Sequence, residues 1–400
     1  MTTEEYILLH RDDDVRRLAL AAHDDGIDLS YALDQIAGWQ TARQKIPAWA
    51  ATEGLVYPPR LSMEQCSSEA TARYKQHLAA TLPGPHDAMT DLTGGLGVDF
   101  SFLATLYNTA TYVERQPHLC RMARHNLPLL RLPHAAVVEA EATDALHSLP
   151  RQSLIYLDPA RRDSHGQRTF AIADCTPDVT QLLPELLAKA DTVLLKLSPM
   201  LDWHKATADL EGHVAQVHIV ALRGECKELL LVLHPDTTAD PTVTCANIQP
   251  TDTDGYTWNT YTLPASDTAL PPVVSTADIS DYCYLYEPDA AVMKAGSFGH
   301  LCRTFGVRQM APNSHLFLSP TPVAGFPGRA FRILATGTTN KRSQRDLLQG
   351  ISAANITTRN FPLTAAQLRQ RLRLNDGGPH YLFATTDHQA RHLLLLTEKA

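Results

Sequence analysis

The chain has 400 residues, 44% of them hydrophobic and 20% charged, and a formal net charge of −8 at pH 7. This length is enough for two or three domains with a sizeable core. No run of about 18 apolar residues occurs, which argues against a membrane-spanning helix. The seven cysteines form no Cys-x-x-Cys pair and the N-terminus is acidic. We therefore predict a cytoplasmic protein without a disulfide framework, a signal peptide or a metal site.

The first 80 residues are predicted to be helical. Asp12-Asp13-Asp14 can cap a helix that begins at Val15, and residues 31–36 have apolar side chains at helical spacing. Pro58-Pro59 breaks this region, because proline lacks the N–H group that a helix interior needs.

A glycine-rich turn follows a short predicted strand at residues 87–90. It reads Asp91-Leu92-Thr93-Gly94-Gly95-Leu96-Gly97-Val98-Asp99, and residues 100–104 after it are predicted to be helical. Glycines there permit positive φ angles and let a ligand approach main-chain N–H groups. Asp91 ends the strand, where it can accept a hydrogen bond from an amine or a hydroxyl group. From the glycines alone, a tight connection without a ligand remains an equal alternative.

Three more predicted strands are each followed by a carboxylate. The strands cover residues 112–114, 136–139 and 153–157. Glu114 lies about 20 residues past the turn, where a mononucleotide-binding βαβ unit places the acid that contacts ribose. Asp144 follows the third strand, and Asp158 follows the fourth. Because the carboxyl ends of parallel strands meet at one edge of a sheet, the four acids predict a ligand site there.

Three later apolar segments complete a predicted seven-stranded sheet. They cover residues 192–197, 215–220 and 228–233. The first of them ends in Lys196-Leu197-Ser198-Pro199 beside the fourth strand. Lys196 and Ser198 are therefore candidates for the reaction centre, although Lys196 can also simply extend its ammonium group to solvent at a strand end.

The rest of the chain is predicted to form smaller α+β units. Residues 235–264 are rich in Thr, Asp and Pro, which is typical of exposed loops and edge strands. A helix around 290–294 and a strand at 315–318 mark one unit. The next unit is predicted to contain strand 331–334, helix 343–353, strand 355–359, helix 364–373 and strands 381–384 and 391–396.

These elements predict an α/β protein with a Rossmann-like seven-stranded sheet, an N-terminal helical segment and small α+β C-terminal domains. We predict four regions with boundaries after residues 80, 240 and 328. They are the helical region 1–80, the sheet domain 81–240, a linker with a small α+β domain at 241–328, and a terminal domain at 329–400.

Charge is unevenly distributed along the chain. Residues 326–400 contain eleven basic and four acidic residues, a net charge of +7, which leaves −15 on the first 325 residues. Arg369, Arg371 and Arg373 lie around the end of one predicted helix and are candidate substrate contacts. A basic module on an acidic body is typical of a domain that holds nucleic acid. A solvated helix face is the alternative interpretation.

In the glycine turn and the acids that end its strands, the chain resembles the class I S-adenosylmethionine-dependent methyltransferases over roughly residues 80–235. The resemblance implies that the turn lies against the methionine part of the cofactor, that Glu114 binds its ribose and that Asp144 binds its adenine amine. The cofactor-binding residues it implies are Asp91, Thr93, Gly95, Gly97, Glu114 and Asp144.

Asp158-Pro159-Ala160-Arg161 lies where amino-methylating members carry Asp/Asn-Pro-Pro-Tyr/Phe. The resemblance implies that Asp158 serves the chemical step, but Ala160 and Arg161 replace the second proline and the aromatic ring. The methylated atom is therefore left open. Arg161, with Arg162 and Asp163, either holds a substrate phosphate or belongs to a surface ion pair.

Four further motifs resemble a bacterial group that joins a methyltransferase domain to a ferredoxin-like domain and a terminal THUMP-like domain. They are residues 64–69, 195–202, 286–288 (Tyr-Glu-Pro) and 313–316 (Asn-Ser-His-Leu). THUMP domains are associated with RNA, usually transfer RNA. The resemblance therefore implies a methyltransferase that acts on a base of tRNA or rRNA.

Other interpretations stay open at this point. A non-catalytic RNA- or partner-binding protein can retain the same sheet as a scaffold. A Rossmann oxidoreductase is disfavoured, because Asp99-Phe100 stand where the third glycine of Gly-x-Gly-x-x-Gly would fall. Cys226 as a covalent nucleophile is also disfavoured, since no general base lies near it in the sequence.

The segment before the predicted helix at about residue 70 also has two interpretations. Gln65, Ser67 and Ser68 either close over the cofactor or provide the N-cap of the helix, with Glu69 in its first turn. The sequence does not predict the oligomeric state.

Overall fold

The computed structural model describes residues 1–20, 26–161, 171–237, 239–251, 255–266, 269–274 and 276–400. The chain divides into two compact units. The first contains Met1–Leu222, Lys227–Pro241 and Ile248–Trp258, and the second contains Arg223–Cys226, Thr242–Asn247 and Asn259–Ala400. Among the described residues, no helix combines the length and the apolar character that crossing a bilayer requires.

The α-helices are numbered here in chain order. They are α1 Thr3–His10, α2 Val15–Leu20, α3 Leu29–Lys45, α4 Pro47–Ala50, α5 Arg60–Gln65, α6 Glu69–Thr81, α7 Val98–Leu103, α8 Pro117–Leu129, α9 Ala142–Ser148, α10 Val179–Lys189, α11 Trp203–Asp209, α12 Ala290–Ala295, α13 Phe298–Phe305, α14 Lys341–Leu347 and α15 Ala365–Leu372. Short 3₁₀ helices lie at Ala104–Leu106, Ile172–Asp174 and Thr276–Asp281.

The β-strands are numbered in the same way. They are β1 Ala88–Asp91, β2 Thr109–Glu114, β3 Ala135–Glu139, β4 Gln152–Leu157, β5 Ala160–Arg161, β6 Cys175–Thr176, β7 Ala190–Leu197, β8 Val214–Leu222, β9 Glu225–Leu233, β10 Thr242–Pro250, β11 Tyr256–Pro264, β12 Tyr284–Pro288, β13 Arg308–Gln309, β14 Phe317–Ser319, β15 Gly328–Thr338, β16 Asn355–Arg359, β17 His380–Thr386 and β18 His392–Lys399.

Helices α1–α6 form the predicted N-terminal helical segment. Capping side chains set where these helices begin: Thr2 and Glu5 form a reciprocal capping box at α1, and Asp28 accepts from the Tyr31 N–H at α3. Ser68 caps α6 by accepting from the Thr71 N–H, which confirms that one of the two candidate serines is an N-cap. The helical run is interrupted before Pro58-Pro59, as predicted.

The main sheet has the strand order β11-β10-β8-β9-β7-β4-β1-β2-β3. The β1–β2, β2–β3, β1–β4 and β4–β7 pairs are parallel, and β9 is antiparallel to β7. The predicted strands β1–β4 and β7–β9 form the seven-stranded part, and the Thr-rich segment adds the edge strands β10 and β11. Strand β4 is buried almost throughout, because helices cover both faces of a parallel sheet.

The second unit has a seven-stranded sheet in the order β13-β14-β12-β15-β18-β17-β16. Leu347 of α14 and Leu368 of α15 pack with Leu382, Leu394 and Leu396 on one face of this sheet. One predicted helix was too long: α14 ends at Leu347 and not near 353, and Gly350 takes a positive φ of 79° shortly after its end. Strand β12 and helix α13 were not predicted.

Candidate functional site

A cavity of about 650 Å³ opens at the carboxyl ends of the parallel strands of the first unit. The glycine turn after β1, the residues after β2 and β3, and Asp158 after β4 all line it. Four neighbouring parallel strands end at this edge, so the tertiary structure brings Asp91 and Asp158, which are far apart in the sequence, to the same cavity. This is the edge at which the strand-end acids predict a ligand.

The glycine turn depends on glycine at two positions for different reasons. A Cβ at Gly94 would come within 2.3 Å of the Tyr112 ring, so no larger residue fits beneath the turn. Gly97 has a φ of 76° and directly precedes α7, a backbone conformation that favours glycine. The turn therefore keeps Gly95 and Gly97 at the cavity wall.

Glu114 lies at the end of β2, is largely buried and lines the cavity. Its Oε2 accepts from the Gly95 N–H at 3.0 Å, and its Oε1 accepts from the Gln116 N–H at 2.9 Å. The carboxylate is therefore fixed between the glycine turn and the segment that follows β2. Glu114 thus lies at the cavity, and its predicted binding of a sugar stays a prediction.

Asp91 is almost completely buried at the end of β1. Burial raises the pKa of its carboxyl group to about 8, although hydrogen bonds from Thr93 oppose this shift. Its Oδ1 accepts from the Thr93 N–H and hydroxyl groups, and the described residues offer no hydrogen bond to Oδ2. Thr93 Oγ1 in turn accepts from the Asp158 N–H at 2.6 Å, which links the first and fourth strand ends.

The structure corrects the position of the third-strand acid. Asp144 lies in the first turn of α9, is exposed and is not among the residues that line the cavity. Glu141, the residue before α9, lines the cavity. Glu141 lies in the short connection between the end of β3 at Glu139 and the start of α9 at Ala142, whereas Asp144 lies within the first turn of the helix and farther from the strand end.

Of the two residues predicted beside the reaction centre, neither Lys196 on β7 nor Ser198 after it lines the cavity, but Lys196 contacts Asp158, which does. Lys196 Nζ is 2.6 Å from Asp158 Oδ2 and 3.7 Å from Asp99 Oδ2. Burial would lower the pKa of Lys196, but the carboxylates of Asp158 and Asp99 outweigh it and raise the pKa well above its usual value. Ser198 does not line the cavity, and its hydroxyl oxygen accepts from the Met200 N–H in the turn after β7.

A buried chain of charges extends from this lysine into the core of the first unit. Lys75 on α6 is completely buried and contacts both oxygens of Glu228 at 2.6 and 2.7 Å, and Asp99 Oδ1 at 3.1 Å. Asp99 Oδ2 also accepts from the hydroxyl groups of Ser67 and Tyr156. Acidic and basic groups therefore alternate from the core to Asp158.

The lysine ammonium groups lower the pKa values of the acids in this chain of charges, whereas burial raises them. Burial would raise the pKa of Asp99, but Lys75 and Lys196 hold it below its usual range. Burial dominates at Glu228 and raises its pKa. Lys75 was not predicted from the sequence. It lies at helical spacing from Thr71, Leu78 and Ala79, which are buried, and this pattern indicates that it faces the core.

Comparison with known proteins identifies the class. Residues 284–327 match a family model of a ferredoxin-like domain, and residues 328–399 match a THUMP domain-like model. Two proteins named uncharacterized S-adenosylmethionine-dependent methyltransferase, from two strains of Mycobacterium tuberculosis, are 26% identical over 333 residues, which is 80% of this chain and 81% of theirs. A crystal structure named "putative methyltransferase", from Porphyromonas gingivalis W83, is 33% identical, covers 99% of this chain and 97% of its own, and has a TM-score of 0.84.

The chain belongs to this methyltransferase family. The predicted class, with its ferredoxin-like and THUMP-like parts and S-adenosylmethionine as the cofactor, is confirmed. This result favours the methyltransferase over the oxidoreductase and scaffold alternatives. The predicted roles of individual residues and the predicted domain boundaries stay predictions.

The N-terminal helical segment contributes one wall of the methyltransferase cavity. Gln65 and Ser67 line it, as does Cys66 between them, and Ser67 donates to Asp99. Ser68 is thus the helix cap, and Gln65 and Ser67 lie at the cavity wall, while their closing over the cofactor stays a prediction. Cys226, the disfavoured nucleophile, donates to the Ala290 carbonyl group, and burial raises its thiol pKa.

The arginines that are predicted to bind substrate differ in their surroundings. The backbone of Arg161 forms β5, but its side chain, Arg162 and Asp163 lie outside the described residues. In the second unit, Arg369 pairs with Asp376 and is partly buried. Arg371 and Arg373 are exposed at the end of α15 and make no ion pair among the described residues.

Proposed function

We propose that this methyltransferase transfers the methyl group of S-adenosylmethionine to a base of RNA. The observation that carries the RNA part of the proposal is the THUMP domain-like match over residues 328–399, in the segment with a net charge of +7. A positive module on a negative protein attracts a phosphate backbone electrostatically.

Ten of the eleven basic residues of this module fall into two groups according to their ion pairs, and the eleventh, Lys399, lies over the Tyr381 ring. Arg329, Arg332, Arg359, Arg369 and Arg391 each pair with an acid. Five exposed basic residues on α14 and at the end of α15 make no ion pair in the part of the chain that is described. They are Lys341, Arg342, Arg345, Arg371 and Arg373. Their charge is free to contact phosphates, so we assign them to the RNA-binding surface.

The residues of the main cavity fit the cofactor. The unused Oδ2 of buried Asp91 suits the α-ammonium group, and the fixed carboxylate of Glu114 suits the ribose hydroxyl groups. Glu141 replaces Asp144 in our assignment of the adenine amine, because Glu141 lines the cavity. Gly95 and Gly97 leave room for the methionine part beside Thr93.

Asp158 and Lys196 are proposed to serve the chemical step. The cofactor, when bound, supplies an electrophilic methyl group, so the protein needs mainly to align the attacking atom with it. Asp158 accepts a hydrogen bond from the attacking group and takes up its departing proton. Lys196, 2.6 Å away, holds the Asp158 carboxylate in one orientation. We assign Lys196 as a positioning residue and give Ser198 no role.

The decisive experiment compares modified nucleosides in total RNA from a strain that lacks this protein with those of its parent, by mass spectrometry. Loss of one methylated nucleoside in the deletion strain, and its return when purified protein and S-adenosylmethionine are added to that RNA, is the expected result. Unchanged nucleosides in every RNA fraction would contradict an RNA substrate and leave the methyltransferase family assignment intact.

Replacing Arg371 and Arg373 together by glutamine should weaken RNA binding and reduce its dependence on salt. Each lost single-stranded phosphate contact lowers the log–log slope by about 0.7, so two contacts lower it by about 1.4. Fluorescence anisotropy with labelled RNA at several salt concentrations measures this. Replacing the exposed Arg16 and Arg17 of α2 removes the same charge and serves as the control. Equal slopes in both variants would show that only net charge matters.

Asp91→Asn should weaken S-adenosylhomocysteine binding and remove its pH dependence. The Asp91 carboxyl group, with a pKa of about 8, is protonated at neutral pH, but must ionise to bind an ammonium group. Binding should therefore release a proton, and affinity should rise from about pH 6.5 to about pH 8. Calorimetry in buffers of different ionisation enthalpy measures the proton. Asp87→Asn, just before the same strand, is the control.

The same substitution should stabilise the ligand-free protein at alkaline pH. The raised pKa means that folded Asp91 keeps a proton which the unfolded chain loses above about pH 4, so its contribution to stability falls as pH rises through 8. Asp91→Asn should raise the melting temperature at pH 8 and change it little at pH 4. A lower melting temperature at pH 8 would contradict the buried, proton-bearing state of this carboxyl group.

A further inference from the structure

A second cavity, of about 460 Å³, lies within the second unit. Most of its wall is apolar and comes from Leu270, Pro271, Val273, Phe298 and Pro312. Two polar side chains, Gln309 and His315, complete the wall. His315 belongs to the Asn-Ser-His-Leu motif at residues 313–316, to which the proposed chemistry gives no role.

Gln309 carries a hydrogen-bond acceptor that no described residue uses. Its side chain is 0% exposed, its Nε2 donates to the Pro312 carbonyl group at 2.9 Å, and its Oε1 has no hydrogen-bond partner among the described residues. The amide orientation is fixed, because a flip would bring Oε1 against the Pro312 oxygen. A buried acceptor without a donor destabilises the folded protein, and a ligand with an N–H group would remove that cost.

His315 adds strain and a second unused polar atom to the same wall. Its φ is 51°, in the left-handed region that residues other than glycine rarely adopt, and strained backbone of this kind clusters at ligand sites. Its Nδ1 is buried without a partner in the described chain. Burial and the nearby Arg359 guanidinium lower the His315 pKa, so the ring is neutral at pH 7. The Phe298 ring packs against it with centroids 4.7 Å apart.

Positive charge lies near this cavity. Arg359 and Arg329 share the single buried carboxylate of Glu287, with Arg359 Nη2 2.8 Å from its Oε1. Arg329 also interacts with Asp289, whereas Arg359 remains partly exposed and lies close enough to His315 to lower its pKa. A ligand whose heterocycle enters the cavity can therefore leave an attached phosphate beside a cationic group.

We propose that this cavity binds a nucleobase with an exocyclic amine, whose N–H donates to Gln309 Oε1 while its flat ring packs between the apolar wall and the Phe298–His315 pair. An aliphatic ligand would leave Gln309 unsatisfied, and a carboxylate or phosphate would oppose its oxygen. Adenine and cytosine carry such an amine next to an unprotonated ring nitrogen, which His315 can contact. The proposal rests on the proposed RNA substrate, whose unpaired base would be the occupant.

The test uses the full-length protein with one equivalent of S-adenosylhomocysteine, which fills the main cavity. Cytidine and uridine 5′-monophosphates, and single-stranded pentamers of each, are titrated by calorimetry. Uridine carries a carbonyl oxygen where cytidine has its amine, so cytidine probes should bind at least about tenfold more tightly. Gln309→Met should abolish this preference. Gln389→Met, at an exposed glutamine of the same unit, should keep it.

Two further variants test the cavity independently, in case Gln309→Met fails to fold. Asparagine tolerates the left-handed backbone, so His315→Asn removes the ring without adding strain, and should weaken cytidine and uridine probes alike. Leu270 is 90% exposed at the rim, and Leu270→Trp should fill the cavity and block both. Equal binding of cytidine and uridine, or binding that none of the three variants alters, would overturn the proposal.

The outcomes also separate the two sources of such a base. Pentamer binding at least about tenfold tighter than monophosphate binding would identify an RNA base, since additional phosphates add electrostatic affinity. Equal affinities would identify a free nucleotide and overturn the RNA occupant. Because these titrations need no methyl transfer, a cytidine preference together with unchanged nucleosides in the deletion strain would refute RNA methylation while leaving the base-binding cavity in place.

Discussion

Lys75→Met is expected to lower the free energy of unfolding by about 3–5 kcal/mol, the usual cost of removing one partner from a buried ion pair. The Lys75 ammonium group is fully buried between Glu228 and Asp99. Methionine fills similar space but leaves the Glu228 carboxylate without a cation in the core. Denaturant unfolding monitored by circular dichroism measures the loss.

The loss should depend on pH in a definite direction. Without Lys75, folded Glu228 keeps its proton, whereas the unfolded chain releases it above about pH 4.5. The deficit should therefore be greater at pH 8 than at pH 5. Adding Glu228→Gln to Lys75→Met should recover part of it, because a neutral glutamine removes the cost of keeping a proton on residue 228.

Lys205→Met is the matched control for this substitution. Lys205 pairs with Asp209 at 2.9 Å in an exposed i,i+4 arrangement on α11, which contributes no more than about 0.5 kcal/mol. Similar losses in the two variants would mean that the buried chain of charges has no special role in stability. A large loss at Lys75 alone would establish that α6 is held to the sheet by a charged contact.

Asp158→Asn is expected to reduce the single-turnover rate of methyl transfer at least about tenfold, the lower end of what a positioned proton acceptor contributes. Asparagine keeps the shape of the side chain and the backbone N–H that donates to Thr93. Affinity for S-adenosylhomocysteine should change little. Rapid-quench kinetics with the RNA identified in the deletion strain measures the rate, and calorimetry measures the affinity.

Two companion variants define the role of Asp158. Asp202→Asn alters another turn aspartate, the N-cap of α11, which is not part of the cavity wall, and should leave the rate unchanged. Lys196→Met should lower the rate by misorienting Asp158, and should shift the pH–rate profile. If Asp158→Asn abolished cofactor binding and kept the single-turnover rate of the bound fraction, Asp158 would be a cofactor ligand instead.

The residues proposed for catalysis and the buried charged residues form one continuous chain of contacts. Lys75 lies on α6, Asp99 on α7, Glu228 on β9, Lys196 on β7 and Asp158 directly after β4. Substitutions along this chain should thus affect both folding and catalysis. For this reason rates are best compared among variants whose melting temperatures have been measured, so that loss of folded protein is not counted as loss of chemistry.

The sequence alone determined the features that depend on local pattern. Apolar runs that end in an acid located β1, β2 and β4 to within a few residues, because a strand buried on both faces must be apolar and the polar residue marks its end. The glycine turn was equally evident, since few residues besides glycine tolerate the conformation of Gly97. Together these signals predict that Asp91, Glu114 and Asp158 lie at one edge of a sheet.

Only the tertiary structure decided which side chains meet. The choice of Glu141 over Asp144 depends on the residue at which α9 begins, and helix ends are weakly encoded by local sequence. Lys75 and Glu228, for example, are 153 residues apart. Gln309 Oε1 is unpaired because no donor among the described residues reaches it. Long-range contacts and buried polar atoms without partners depend on how all the elements pack, because burial and solvent exclusion are properties of the folded chain and not of any segment.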